Sequence, residues 1–285
     1  GLGDEQGTHF HLIGLSARDD TSSIATRGGA RPQESLSLTT LTGVSLFGRR
    51  VQLAGEGSLA AFNADLFAKR VDTDALLDPD STEVPSAVLP LARLLLKRFT
   101  PTYSSSVSYA ARVRASVRLS ALNLNARYQR VGPGYTSLGV YSMQDDREEW
   151  QVQPQLRLFR NRLHVGLTYG ANRNNLTQQR AATLTRTQLG SNVRFQAAPW
   201  ITLGGAFFQA WSNSVSHLEG LAVERGQVTQ RLQFNPLLVL RRGTATHTVN
   251  LNASLQRLTN RGSTGSSTAA GASDYDNLAA SLSWI

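Results

Sequence analysis

The stretch SSVSYAARVRASVRLS, residues 105–120, decides the fold. Its odd positions read Val107, Tyr109, Ala111, Val113, Ala115, Val117 and Leu119. Its even positions read Ser106, Ser108, Ala110, Arg112, Arg114, Ser116, Arg118 and Ser120. A period of two is the period of an extended strand, whose successive side chains point to opposite faces. The strand therefore has one apolar face and one polar face that carries arginine.

The same alternation extends outward in both directions. Leu122, Leu124, Ala126 and Tyr128 alternate with Asn123, Asn125, Arg127 and Gln129, and Trp150, Val152, Pro154, Leu156 and Leu158 alternate with Gln151, Gln153, Gln155 and Arg157. Further strands are predicted at 8–18, 35–47, 51–62, 163–172, 183–196, 201–212, 228–241, 244–258 and 277–285. That makes about twelve strands, each of about 9 to 14 residues, against a soluble mean of about 5 to 6. Strands of this length suit a crossing of the membrane's apolar layer, which needs about 9 to 11 tilted residues. Pro154 and Pro236 fall inside these strands and are expected to mark bulges or strand ends.

The connections add a second signal. Short turns are expected near 47–50, 120–121, 160–162, 197–199 and 242–243, and longer polar loops at 19–34, 67–104, 132–149, 173–182, 213–227 and 259–276. Short and long connections alternate, as in outer-membrane barrels with short periplasmic turns and long extracellular loops. The longest loop, 67–104, holds a helix-like apolar spacing after Pro90, expected either to enter the lumen, to cap the barrel from outside or to meet a partner.

The composition is compatible with that reading. The 285 residues carry 29 Lys+Arg against 20 Asp+Glu, a net charge of +9, with only 17% charged residues and no Cys. Lack of cysteine excludes disulfide scaffolds, cysteine zinc sites and thiol nucleophiles. No stretch has the roughly 18 apolar residues of a spanning helix. The first residues lack a basic start and an apolar segment, so the chain reads as a mature protein or part of a longer one.

The apolar face must point either to lipid or into a soluble barrel's core. Filling a barrel of about twelve strands with Leu, Val, Phe and Tyr demands a wide apolar interior, whereas small soluble barrels close with about eight strands. Lipid is the better partner for that face. Trp150, Trp200, Trp211, Trp284, Phe47, Phe195 and Tyr128 near strand ends fit the aromatic girdles of membrane–water boundaries. The polar face then lines a lumen, and the candidate pore-lining residues are Arg112, Arg114, Arg118, Arg127, Arg157, Arg186, Arg194 and Arg231, with Glu56. Such a wall attracts anions by its focused field, unless carboxylates pair with it and fill the interior.

Ala17-Arg-Asp-Asp20 followed by Ser23-Ile24, Pro32-Gln-Glu-Ser-Leu36, the run from Tyr128 to Tyr141, Asp145-Asp146 and Leu156-Arg-Leu-Phe159 carry a resemblance. Through them the chain resembles outer-membrane β-barrel proteins, and more narrowly the barrel regions of long Bacteroidota-type outer-membrane proteins. The resemblance implies that further strands precede Gly1, and it brings no catalytic or ligand residues. The last strand, with Leu278, Ala280, Leu282 and Trp284 alternating, looks like the segment read by the barrel-assembly machinery, although Ile285 follows the aromatic.

Other chemistries are weaker. His9, His11, His164, His217 and His247 are scattered and form no nucleophile–base spacing, so the chain is not read as an enzyme. His9 and His11 share a strand face without a third metal ligand nearby. The pairs Asp19-Asp20, Asp145-Asp146 and Glu148-Glu149, and the run Asp72, Asp74, Asp78, Asp80 and Glu83, lack a complete calcium loop. Arginines alternating with apolar residues do not make a nucleic-acid patch. The expectation is one all-β, antiparallel transmembrane barrel of about twelve strands over residues 1–285, in the bacterial outer membrane and without cofactor. Its expected partners are outer-membrane lipid and lipopolysaccharide, the assembly machinery and other outer-membrane subunits. Its expected function is a passive pore for small, anionic solutes; the alternative is a non-conducting structural or assembly component. A soluble lipid-binding barrel is the third reading.

Overall fold

The computed structural model describes residues 2–3, 7–22, 31–77, 84–136, 144–217, 223–243, 245–264 and 273–284. The described strands are β1 (Leu2–Gly3), β2 (His9–Arg18), β3 (Glu34–Leu46), β4 (Val51–Asn63), β5 (Ser105–Arg118), β6 (Leu122–Val131) and β7 (Arg147–Leu158). They continue with β8 (Leu163–Asn174), β9 (Ala182–Ala198), β10 (Ile201–Ser216), β11 (Val223–Arg242), β12 (Ala245–Thr264) and β13 (Ser273–Trp284). They form one sheet in which each strand bonds its neighbour in the sequence, a meander without crossovers. Apart from the two-residue β1, the long strands β2 to β13 are the twelve predicted.

Short and long connections alternate along the meander as expected. The excursion between β4 and β5 contains two helices, α1 (Thr73–Leu76) and α2 (Leu89–Leu96), the latter preceded by a 3₁₀ turn at Ser86–Val88. Pro90 lies in the first turn of α2, where its missing N–H costs no hydrogen bond. Neither proline ends a strand, which corrects that half of the expectation. β7 continues through Pro154. Pro236 stays in register opposite Leu203 of β10, and only the ladder toward β12 is interrupted at 235–236. Proline removes one donor, and here the loss falls on one edge of the strand.

The longest strands also depart from the reading. β11 and β12 each have 20 residues, and their pairing runs from Arg242↔Ala245 out to Val223↔Thr264. The predicted loops 213–227 and 259–276 are thus partly ladder. Residues 223–227 and 259–264 have no apolar face, so periodicity could not register them, yet antiparallel bonding needs only backbone. Gln227 Nε2 donates to Asn260 Oδ1 across this extension at 2.9 Å.

Contacts divide the chain into two compact units, residues 1–114 with 128–148 and residues 115–127 with 149–285. In the first, Leu59, Ala61, Leu77, Val84, Ala92, Leu96 and Phe99 form the main buried cluster, with Leu36, Val107 and Tyr109 against it. In the second, Trp150 and Tyr169 make an edge-to-face pair with centroids 5.0 Å apart.

Candidate functional site

Register assigns every strand two faces. In the first unit, Ile13 lies opposite Thr39, Thr39 opposite Ser58, and Leu41 opposite Glu56, so these residues share a face with Arg112, Arg114 and Gln129 of β5 and β6. In the second unit, Arg194 lies opposite His164 and Gly204, Arg186 opposite Asn172 and Ser212, and Phe208 opposite Arg231. The complementary face carries the apolar series, and it is open: Leu12, Leu53 and Val113 in the first unit, and Leu167, Val193, Phe234 and Leu282 in the second, are all exposed.

Arg112 is the centre of the polar face of the first unit. Its Nη1 lies 3.6 Å from Glu56 Oε2, and its Nε donates to Gln129 Oε1 at 3.1 Å. Two recesses adjoin this pair. One, of about 240 Å³, is lined by Ser37, Thr39, Glu56, Ser58, Arg112 and Tyr135 among others. The other, of about 170 Å³, is lined by His9, Leu41, Glu56, Arg112 and Arg114. The strand alternation brings Arg112 and Arg114 to this face because they stand two apart.

Tyr135 is the residue of this face that sequence reasoning missed. It comes from the β6–β7 connection, where Gly134 at φ +64° reverses the chain, and its hydroxyl donates to Ser58 Oγ at 2.8 Å. Ser58 in turn bonds Thr39 Oγ1 at 2.9 Å. Ala60, Val131 and Tyr135 pack together beside Ala110, making a small apolar plug at the loop end of an otherwise polar face. The Gly-Pro-Gly-Tyr run at 132–135 marks a turn, but nothing local says that its tyrosine bonds a residue 77 positions earlier.

The remaining predicted residues lie in the second unit. Arg127 pairs with Glu149, and Arg231 Nη2 donates to Gln256 Oε1 at 3.1 Å. Arg118, Arg157, Arg186 and Arg194, and Arg114 of the first unit, form no ion pair among the described residues. Of the predicted arginines, Arg112 and Arg127 thus have carboxylate partners, Glu56 and Glu149.

The acidic loop pairs are put to structural use. Asp19 Oδ2 accepts the Gln33 N–H and Asp145 Oδ2 the Gly134 N–H, both at 2.8 Å. The Ser22 hydroxyl and N–H donate to Asp20 Oδ1 and hold its carboxyl below the ordinary aspartate range. Asp78, Asp80 and Glu83 lie outside the described residues, as do Ser23, Ile24 and residues 137–141 of the segments that carry the resemblance. The rings of His9 and His11 stand 5.3 Å apart on the polar face.

No family model matches the chain, and no curated protein matches it. Among solved structures it is similar to OmpT, an outer membrane protein of Vibrio cholerae. The in-vitro folded trimer form is 9% identical, with 98% of this chain and 97% of that one covered and a TM-score of 0.34. A second in-vitro folded OmpT is 10% identical over 99% and 97%, with a TM-score of 0.31. The outer-membrane expressed form is 10% identical over 92% and 89%, with a TM-score of 0.27. Likeness at this level transfers no activity.

Proposed function

We propose that the chain is a β-barrel of the bacterial outer membrane and serves as a passive pore for small, anionic solutes. One observation carries the reading: along most of the long strands one face is rich in arginine and amide side chains, while the other leaves leucine, valine and aromatic residues exposed, although Ile13 and Leu15 of β2 and Leu184 of β9 are exposed on the polar side. Water penalises such a face by about 25 cal/mol per Å² of apolar area, and lipid does not. The narrower resemblance to Bacteroidota-type barrel proteins belongs to this proposal too. Unpaired Arg114, Arg118, Arg157, Arg186 and Arg194 supply the anion preference.

A second reading, a non-conducting structural or assembly component, is favoured by Tyr135 and its apolar plug over the polar face. Conductance of the purified chain in planar bilayers separates the two. Stable current with anion preference, weakened by combined Arg112→Ser, Arg114→Ser and Arg118→Ser, supports the pore. A folded, heat-modifiable chain that passes no current overturns it in favour of the component.

A further inference from the structure

Helix α2 and the residues that follow it lie over the apolar face of the first unit. Ala92, Leu96 and Phe99 are buried against Leu59 and Ala61 of β4, with Leu36 of β3 and Val107 and Tyr109 of β5 beside them. Leu36 pairs with Ala61, and Leu38 with Leu59, so these belong to the same face as exposed Leu53 and Val113. The helix therefore lies on the side read as lipid-facing, at the long-loop end of the strands, and leaves the polar face clear. It also presents its own outer surface: Leu94 is 61% exposed, and Phe67 and Tyr103 of the flanking chain are 49% and 73% exposed.

Cations flank these apolar tips along the chain. Lys97 and Arg98 follow α2 directly, and Lys69 and Arg70 lie on the facing segment, fixed by the Arg70↔Thr102 bridge and by the Tyr103 N–H donating to Lys69 O at 3.0 Å. All four are exposed, and none forms an ion pair among the described residues. The two neighbouring arginines are otherwise engaged, Arg93 with Asp74 at 3.9 Å and Arg18 with Glu34 at 3.6 Å. Exposed apolar tips interleaved with free cations, on a helix laid against a lipid-facing wall, are the composition of a headgroup-level binding surface.

We propose that α2, with Lys69, Arg70, Lys97 and Arg98, is an interfacial clamp for the phosphates of anionic lipid in the leaflet at the long-loop end. The clamp rests on the membrane reading. The tips enter the acyl boundary, and the ammonium and guanidinium groups meet phosphate oxygens, guanidinium by its two-donor fork.

Lys69 and Lys97 are the only lysines, and the chain has no cysteine, so both positions can be read in the full chain. The chain is placed in nanodiscs of phosphatidylcholine, alone or doped with phosphatidylglycerol or lipid A, and lysine acylation is followed by peptide mass spectrometry. The expected result is roughly fivefold slower acylation in the anionic discs, the effect of one basic residue near an anionic surface, reversed at about 1 M salt, where screening acts within about 3 Å. Equal rates in neutral and anionic discs overturn the clamp. So does equal protection by inorganic phosphate added to neutral discs, which would make the ligand a free anion. Spin labels at Leu94→Cys and Val113→Cys separate the clamp from the reading beneath it. A Val113 label deep in lipid with a Leu94 label in water removes the clamp alone, and a Val113 label in water removes the membrane reading. A Leu94 label at headgroup depth above a deep Val113 label supports both.

Discussion

Asn63, buried at the end of β4, ties the long excursion to the sheet with every polar atom of its amide. Nδ2 donates to Thr100 O at 2.8 Å, and Oδ1 accepts from the Asp65 N–H, the Thr102 hydroxyl and the Ser104 hydroxyl. Asn63→Ala leaves several buried partners unsatisfied, at about 1 to 3 kcal/mol each before relaxation. The expected outcome is local: amide hydrogen exchange over 98–104 quickens by at least tenfold, while heat-modifiable migration of the folded chain is unchanged. On the polar face, Arg112 and Glu56 are about two-fifths exposed, so their pair is worth about 1 kcal/mol or less to folding. Its weight is in the field. If the chain is the proposed pore, Glu56→Gln frees the guanidinium and raises the anion-to-cation permeability ratio, and Arg112→Gln lowers it, each by up to roughly fivefold, the equivalent of about 1 kcal/mol. Reversal potentials in a salt gradient measure both, and a ratio that ignores both changes removes Arg112 from the permeation path. The arginines were legible because alternation assigns them a face. Their partners were not, since alternation assigns a face but not the register that sets Gln129 of β6 and Glu56 of β4 beside Arg112.

At the scale of elements, two short turns share nearly the same φ angles. Phe47-Gly48-Arg49 has φ of 52°, 61° and 67°, and Phe159-Arg160-Asn161 has 51°, 54° and 68°. Each is closed by a backbone bond, from the Arg50 N–H to Phe47 O at 3.3 Å and from the Arg162 N–H to Phe159 O at 3.2 Å. Left-handed conformation costs an L-residue roughly 1 to 2 kcal/mol, which glycine avoids. Space around Gly48 is open, so Gly48→Ala isolates the backbone cost and should destabilise by about 1 kcal/mol, whereas Arg160→Gly should stabilise by a similar amount. Urea midpoints of unfolding from micelles check the opposite signs. Such turns were readable from composition, as were the strands with an apolar side. The ends of β11 and β12 were not, because their outer residues are polar on both faces. Nor was the placement of α2: its apolar stripe demands burial against something, and an apolar face inside or outside satisfies that equally. The packing on Leu59, Ala61 and Val107 fixes which face of the sheet it covers.

For the whole molecule, the question that governs all others is which face meets lipid, and adjacent residues answer it. Leu167 and Thr168 are neighbours on β8, one exposed on the apolar face and the other beside Gly190 on the polar face. If the apolar face lies in a membrane, Leu167→Arg must carry a guanidinium into hydrocarbon, at about 2 to 4 kcal/mol near the midplane. Thr168→Arg adds one more arginine to a face that already holds Arg186 and Arg194, and should be nearly neutral. Folding free energies into phospholipid vesicles measure the difference. In a soluble barrel with its apolar side chains inward, Leu167→Arg would also be costly, so the discriminating condition is the solvent. That protein would fold without lipid or detergent, and Leu167→Arg would prevent it from doing so. A membrane barrel folds only with an amphiphile, and its penalty for arginine depends on depth. The same change at Leu158, beside the short turn, should therefore cost about 1 kcal/mol or less. Equal penalties at Leu158 and Leu167 would point to a protein core, while a steep difference would place the bilayer across the middle of the strands.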